Sequence, residues 1–141
     1  MKDWNQQVID EFRANGGHVT TAGFGDSLVL LHSTGARTGQ QRISPLMAIA
    51  EPEGSWLIAA SKAGAPDNPA WYANLRAHPQ TVVEAADGEG GTGEVPVTAV
   101  VLEGGERDAA WQRFVDRAPG FADYQVKAGD RLIPVVRLAR R

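Results

Sequence analysis

The sequence predicts an α+β fold, with an antiparallel sheet curled into a small barrel and helices around it. Three observations support this. The 141 residues suit one domain with a sizeable core. Short strand-like runs follow one another across tight turns. Helical patterns occur without the regular strand–helix alternation of parallel sheets. We therefore expect a single domain over residues 1–141.

The first element is an amphipathic helix over residues 3–15. Trp4, Val8, Ile9 and Phe12 recur at helical spacing, and two glycines end the pattern. Acidic side chains outnumber basic ones along it, a poor match for anionic lipid. We expect this helix to pack on the domain and not to lie on a membrane.

Three strands come next, and a helix follows them. The strand-like runs are SLVLLHST, RISPLMAIA and SWLIAASK, and EPEGS forms a hairpin turn between the second and third. The stretch 68–78, NPAWYANLRAH, predicts a helix with Asn68 as N-cap and Pro69 at the first helical position; Pro79 stops it.

The C-terminal half repeats the pattern of strands followed by helices. TVVEAA and EVPVTAVVLEG are two strands around a glycine-rich link, and GERDAAWQRFVDRA has one apolar helical face. PGFADYQVKAG is a second short helix, and LIPVVRLA a final strand. Adjacent strands joined by tight turns favour antiparallel pairing.

Composition excludes several classes of protein. The chain has no cysteine, so it has no disulfide framework, thiolate metal site or cysteine nucleophile. Its net charge is −3 and its pI about 5.6, and no basic stripe for nucleic acid appears. No secretory signal or membrane-spanning run is recognisable, so we expect a cytoplasmic protein.

Familiar catalytic motifs are absent or lack their context. Gly88, Gly90 and Gly93 have dinucleotide-fingerprint spacing, but a strand pattern follows them where a helix is needed, so a hairpin tip is the better interpretation. The three histidines show no metal-ligand spacing, and no metal site is expected. His32, at the end of an apolar run, is interpreted as a satisfied barrel residue.

Two segments remain that suit an anionic ligand. HSTGARTGQQRISPL places two glycines around Arg37 and Thr38, with Arg42 opening the next strand. Glycine lets a backbone approach a ligand closely, and arginine offers a planar fork for phosphate or carboxylate. An ordinary hairpin with solvated arginines explains the same residues equally well.

The second segment is SKAGAPDNPAWYANL, residues 61–75. Lys62, one of only three lysines, stands among small residues just before a predicted helix start. Its ammonium and the nearby N–H groups suit an anion, and Trp71 and Tyr72 could wall a planar ring. Core packing is the alternative for these aromatics. If cations 37, 42 and 62 converge on one groove, the ligand is long, phosphate-bearing and flat, as a redox cofactor is.

These two segments, together with APGFADYQ and RLIPVVRL, resemble the deazaflavin-dependent nitroreductase family of actinobacteria, over about Val8 to Leu138. The resemblance implies a split β-barrel that binds reduced coenzyme F-420, an 8-hydroxy-5-deazaflavin with an acidic tail. It implies hydride transfer to an electron-poor acceptor such as a quinone, an activated alkene or a nitroaromatic. It leaves open whether the chain is a monomer or a homodimer.

The resemblance also implies roles for individual residues. It implies that Arg37, Thr38 and Arg42 bind the acidic tail of the coenzyme, and that Ser61 and Lys62 bind its phosphate-side groups. The side of the deazaflavin ring that faces the strand would be lined by Ser44, Pro45, Leu46 and Met47, with Ala59 and Ala60 beside it. Trp71 and Asn74 match pocket-wall positions. Tyr124 matches an aromatic near the acceptor, and catalytic roles fall to Tyr124 and Ser61.

The chain departs from the family pattern in two places. Ala36 stands where a second basic residue is common in the turn, which removes one contact to the tail. Ala118 and Phe121 stand where relatives carry tyrosines, which removes hydroxyls from the acceptor side. Two alternatives stay open: a sister enzyme that uses FMN, and a protein that binds deazaflavin or another apolar ligand without turnover.

Overall fold

The computed structural model describes residues 3–141, which form six strands and four α-helices. In chain order the elements are α1 (Trp4–Ala14), β1 (Leu28–Thr34), β2 (Gln41–Ala50), β3 (Trp56–Ala59), α2 (Ala70–Ala77), β4 (Gln80–Ala86), β5 (Thr92–Val101), α3 (Gly104–Arg117), α4 (Gly120–Ala128) and β6 (Val135–Arg140). Short 3-10 turns lie at Thr21–Gly23 and Lys62–Gly64.

The six strands close into one antiparallel barrel in the order β1-β2-β3-β6-β5-β4. Strand β1 pairs with β2 on one side and β4 on the other, so no sheet edge is left open. The β4–β5 hairpin turns through the glycine-rich link, where Asp87 N–H donates to the Gly91 carbonyl. The predicted α+β class, antiparallel barrel and hairpin interpretation are confirmed.

Strand alternation produces two apolar faces. The inner cluster fills the barrel with side chains such as Leu31, Ile58 and Val136, and Trp71 and Leu75 of α2 pack into the same cluster. Helix α2 therefore docks on the barrel interior and fixes the segment that precedes it.

Helices cover the outer face of the barrel. Helix α1 buries Val8 and Phe12 in a cluster with Leu28 and Leu30 of β1, as its helical periodicity predicted. Helices α3 and α4 contribute Phe114 and Phe121 to another outer cluster, with side chains of β2, β3 and β6.

Two predicted boundaries are wrong around the loop between β3 and α2. Strand β3 ends at Ala59, not at Lys62, because residues 62–64 adopt positive φ angles that a strand cannot contain. Helix α2 begins at Ala70, with Pro69 in the cap position and no side-chain cap. Asn68 does not cap it, because its Oδ1 accepts a hydrogen bond from Arg131 at 2.6 Å.

Candidate functional site

A tight turn between β1 and β2 carries the first cationic segment. Gly35 N–H donates to the Gln40 carbonyl at 2.8 Å, and Gly39 N–H donates to the Gly35 carbonyl at 2.9 Å. A Cβ at Gly35 would lie 2.7 Å from Thr38 Oγ1, so a larger residue there would require the Thr38 side chain to move. Gly39 has a φ of +71°, in the region that glycine favours. The turn therefore holds Arg37 in a defined backbone geometry.

Asn74 ties this turn to helix α2. The side chain is buried, its Oδ1 accepts from Ala36 N–H at 3.0 Å, and its Nδ2 donates to Ser33 Oγ at 3.3 Å. The amide thus satisfies the buried Ser33 hydroxyl and ties the backbone of the turn to α2. Ala36, the departure from the family pattern, contributes through its backbone.

A cavity of about 450 Å³ lies between the turn and the start of α2. It is lined by Gly35, Ala36, Arg37, Thr38, Arg42, Ala70, Ala73 and Asn74. Within residues 3–141, neither Arg37 nor Arg42 has a carboxylate or hydrogen-bond partner. The structure brings together four of the predicted site residues here, two of them unpaired cations.

The second cationic segment lies outside this cavity lining. Lys62 is exposed, and its Nζ donates to Asp67 Oδ2 at 3.1 Å. That hydrogen bond is the main reason why the pKa of Asp67 is lowered from its ordinary value. The expected convergence of the cations at 37, 42 and 62 is therefore seen for the two arginines, while Lys62 is held by a carboxylate on its own loop.

Strand alternation divides the four predicted residues of β2 between two faces. Ser44 pairs with Leu31 of the inner cluster, and Leu46 packs against that cluster. Pro45 lies on the outer face, as does Met47, which packs against both outer clusters. Pro45 and Met47 therefore face outward, and Ser44 and Leu46 face the barrel interior.

The residues at the end of β3 also alternate between the outer and the inner face of the barrel. Ala59 packs with the outer cluster of α3 and α4, whereas Ala60 is fully buried in the inner cluster. Trp71 is also buried there, 8% exposed, and does not line the cavity. Of the two predicted pocket-wall residues, the structure brings Asn74 to the cavity and places Trp71 in the core.

Tyr124 belongs to an aromatic group on the outer face. Its ring meets Phe121 edge-on at a centroid distance of 5.5 Å, and Phe121 meets Trp111 at 5.9 Å. Met47 and Ala59 pack against the same cluster. The structure therefore gathers the predicted acceptor-side residue and two of the predicted ring-side residues around one apolar cluster between the barrel and helices α3 and α4.

Two hydroxyl groups near these surfaces are unpaired. Among residues 3–141, neither the Tyr124 hydroxyl nor the Ser61 hydroxyl takes part in a hydrogen bond. Ser61 is half-buried directly after Ala60. Both groups are free to donate a proton to a bound molecule.

Sequence reasoning missed Arg131, which bonds to the loop that carries Ser61 and Lys62. Its partners lie 63 to 71 residues away, so no local pattern signals the contact. In the described part of the chain, no group of three or more potential ligands is arranged to hold a metal ion. None of the helices there is both long and apolar enough to span a bilayer.

Comparison with known proteins identifies the family. The model of the F420H(2)-dependent quinone reductase family matches residues 4–139. The F420H(2)-dependent quinone reductase Rv1261c of Mycobacterium tuberculosis H37Rv is 38% identical over 116 residues, 80% of this chain and 73% of the relative. A second relative from that strain, the putative F420H(2)-dependent quinone reductase Rv3178, is 33% identical and matches over 89% of its own length.

Solved structures agree with this assignment. A structure of an F420-H2-dependent reductase, FDR-A, superposes with a TM-score of 0.68 at 41% identity, covering 79% of this chain and 93% of that one. Another, described as a domain-swapped dimer, gives a TM-score of 0.71 at 38% identity, covering 94% and 92%. The fold is thus the split barrel of these reductases, and the chain belongs to the F420H(2)-dependent quinone reductase family.

Proposed function

We propose that this protein reduces a quinone with hydride from reduced F420 and holds the acidic tail of the coenzyme in the cavity between the Gly35–Gln40 turn and α2. Membership of the family makes it an F420-dependent oxidoreductase. When bound, reduced F420 supplies the hydride. The quinone takes up that hydride and one proton and becomes a hydroquinone. The chain supplies position, charge and the exclusion of water.

One observation carries the placement of the tail: the unpaired guanidinium groups of Arg37 and Arg42 line the same cavity. Most other arginines of the chain are engaged; Arg13 and Arg137, for example, bond to carboxylates. A tail of carboxylates and phosphate offers partners for planar, bidentate recognition. Gly35 and Ala36 add no bulk, so the ligand can approach the turn backbone closely.

The outer surface of β2 and β3 suits the flat ring. Met47, Ala59 and Tyr124 are half-buried there beside the cluster of α3 and α4, and Pro45 lies on the same face of β2. We assign the proton donor to the unpaired hydroxyl of Tyr124 or of Ser61, since the acceptor needs one proton for each hydride.

The test is a fluorescence titration of the wild type, Arg37→Ala, Arg42→Ala and Arg117→Ala with F420. Arg117 is the matched control, an exposed arginine of α3 that also has no partner in the described chain. Arg37→Ala and Arg42→Ala should each bind F420 about tenfold more weakly, because each loses a hydrogen bond to a charged group that contributes roughly 1.5 kcal/mol. Wild-type affinity in both cavity variants would overturn the placement of the tail.

Parallel titrations with FMN, FAD and NADPH separate the alternatives. Preferred FMN binding, with a yellow purified protein, would indicate an FMN enzyme. Steady-state oxidation of reduced F420 with menadione tests turnover. No oxidation with any quinone, despite tight coenzyme binding, would indicate a non-catalytic binding protein. Activated alkenes and nitroaromatics in the same assay define the range of acceptors.

Assembly and location belong to the proposal as well. The structure described as a domain-swapped dimer, at 38% identity, supports a homodimer for this chain. Light scattering coupled to size-exclusion chromatography distinguishes a dimer from a monomer of 15.1 kDa. We propose a cytoplasmic location, which fractionation of the source cells tests.

A further inference from the structure

Arg131 forms four hydrogen bonds to one loop. Its Nε donates to the Ala65 carbonyl at 3.0 Å, and its Nη2 donates to the Ser61 carbonyl at 2.8 Å. Its Nη1 donates to the Ala60 carbonyl at 2.9 Å and to Asn68 Oδ1 at 2.6 Å. The guanidinium is half-buried in the segment between α4 and β6.

The loop that it contacts has an unfavourable backbone. Lys62, Ala63 and Gly64 have φ angles of +46°, +52° and +81° in succession. A left-handed conformation costs about 1–2 kcal/mol for each non-glycine residue, so two such residues persist only where surrounding contacts fix them. Within the turn, only the N–H groups of Gly64 and Ala65 donate back to preceding carbonyls.

The four bonds of Arg131 bracket this strained turn. Two acceptors, Ala60 and Ser61, precede the left-handed residues, and two, Ala65 and Asn68, follow them. A planar guanidinium has enough fixed donors to satisfy all four acceptors at once, which a lysine ammonium does not. Each acceptor is a neutral oxygen, so these four bonds leave the charge of Arg131 unneutralised, and the nearby carboxylate of Asp67 offsets part of it.

We infer that Arg131 is a positioning residue, which holds the turn at residues 61–64 in the conformation that presents Ser61 and Lys62 to the coenzyme. This inference rests on the proposed function. It assigns no chemical step to Arg131. Loss of the Arg131 guanidinium should loosen the turn and therefore weaken coenzyme binding. The hydride-transfer step should stay intact once the coenzyme is saturating.

The experiment compares Arg131→Lys and Arg131→Met with Arg76→Lys. Arg76 is an exposed arginine of α2 whose guanidinium lies 5.8 Å from the centre of the Tyr72 ring, and it serves as the control. We expect KM for reduced F420 to rise about threefold to tenfold in Arg131→Lys and more than tenfold in Arg131→Met, with kcat on menadione within about twofold. The control should match the wild type in both constants.

A second readout needs no coenzyme. Amide exchange of Gly64 and Ala65, whose N–H groups donate at 2.9 and 3.0 Å within the turn, should be at least tenfold faster in both Arg131 variants. If Arg131→Met does not fold, Arg131→Lys decides alone. An unchanged KM in both variants overturns the inference, whatever the exchange rates of the two amides.

The two proposals fail differently. If the wild-type protein does not bind F420, the proposed function fails, and amide exchange still reports whether Arg131 fixes the turn. If the wild type binds F420 and both Arg131 variants bind it equally well, the proposed function stands and the role of Arg131 is wrong.

Discussion

Asn74 Oδ1 accepts a hydrogen bond from the backbone N–H of Ala36 at 3.0 Å, and this contact joins helix α2 to the turn that carries Arg37. The amide also holds the buried Ser33 hydroxyl. One side chain thus couples the barrel core to the cationic cavity, so the cavity has its shape before any ligand arrives.

Asn74→Ala should therefore affect both stability and coenzyme binding. The change leaves the buried Ser33 hydroxyl without a partner, which costs about 1–3 kcal/mol, and it releases the exposed Ala36 N–H to solvent. Urea unfolding measures this loss, and F420 titration should show weaker binding because the turn is released. Asn15→Ala, an exposed asparagine that ends α1, is the control. An Asn74→Ala protein with wild-type affinity for F420 would show that the turn is rigid without this bond.

Gly64 is expected to tolerate no side chain, because α4 packs directly against it. A Cβ there would lie 2.8 Å from the Tyr124 carbonyl oxygen and 2.9 Å from Lys127 Cβ. Gly88 provides a matched control, since both glycines have a φ of +81° and the space around Gly88 is open. Both alanine variants carry the backbone penalty of about 1 kcal/mol or more. Only Gly64→Ala adds a clash, so thermal unfolding should show a clearly larger loss there; equal losses would contradict the packing argument.

Lys62 and Asp67 form an exposed ion pair, in which Asp67 competes with the coenzyme for the Lys62 ammonium. Exposed ion pairs contribute little because solvent screens them, so Asp67→Asn should strengthen F420 binding by a few-fold at most. Lys62→Ala should weaken binding by about 1.5–3 kcal/mol if the ammonium bonds to an anionic group. In the double variant, the benefit of Asp67→Asn should disappear. A benefit that persists without Lys62 would mean that Asp67 acts on the ligand directly, by charge repulsion.

Glu84 connects α1 to the barrel and should give the protein part of its acid sensitivity. Arg13 donates two hydrogen bonds to this carboxylate, at 3.0 and 2.7 Å, and His32 Nε2 lies 2.7 Å from it. The hydrogen bonds from Arg13 are the largest cause of the lowered pKa of Glu84. A carboxylate whose pKa is depressed on folding stabilises the protein above its unfolded value of 4.5, and this contribution is lost as the pH falls through the lower folded value.

Glu84→Gln should thus lower the free energy of unfolding at pH 7 by about 1–3 kcal/mol and flatten its decline below pH 4.5. Denaturant unfolding at a series of pH values measures both effects. Glu89→Gln, in the exposed β4–β5 turn, should leave the pH profile unchanged. A Glu84→Gln profile as steep as that of the wild type would assign the acid sensitivity to other carboxylates.

Local patterns in the sequence were enough to predict the barrel. The short apolar run of β1, the EPEGS turn and the periodicity of α1 each have a local physical cause, and each was confirmed. The left-handed turn at Lys62 was not predictable in this way. Lysine and alanine carry no signal for positive φ, and the bonds from Arg131 that fix the turn cross at least 63 residues. Asn68 was misassigned for the same reason, since a distant guanidinium competes for its side chain.

Tyr124→Phe tests whether the protein supplies the proton for quinone reduction. The substitution removes only the hydroxyl, which has no hydrogen-bond partner within residues 3–141, and keeps the ring that meets Phe121 at 5.5 Å. If Tyr124 donates the proton, kcat with menadione should fall by about 100-fold while the affinity for F420 stays unchanged. Tyr72→Phe is the control, because Tyr72 is the only other tyrosine and packs against the inner cluster. An unchanged kcat in Tyr124→Phe combined with a loss in Ser61→Ala would assign the donor to Ser61, whereas unchanged rates in both variants would mean that solvent delivers the proton.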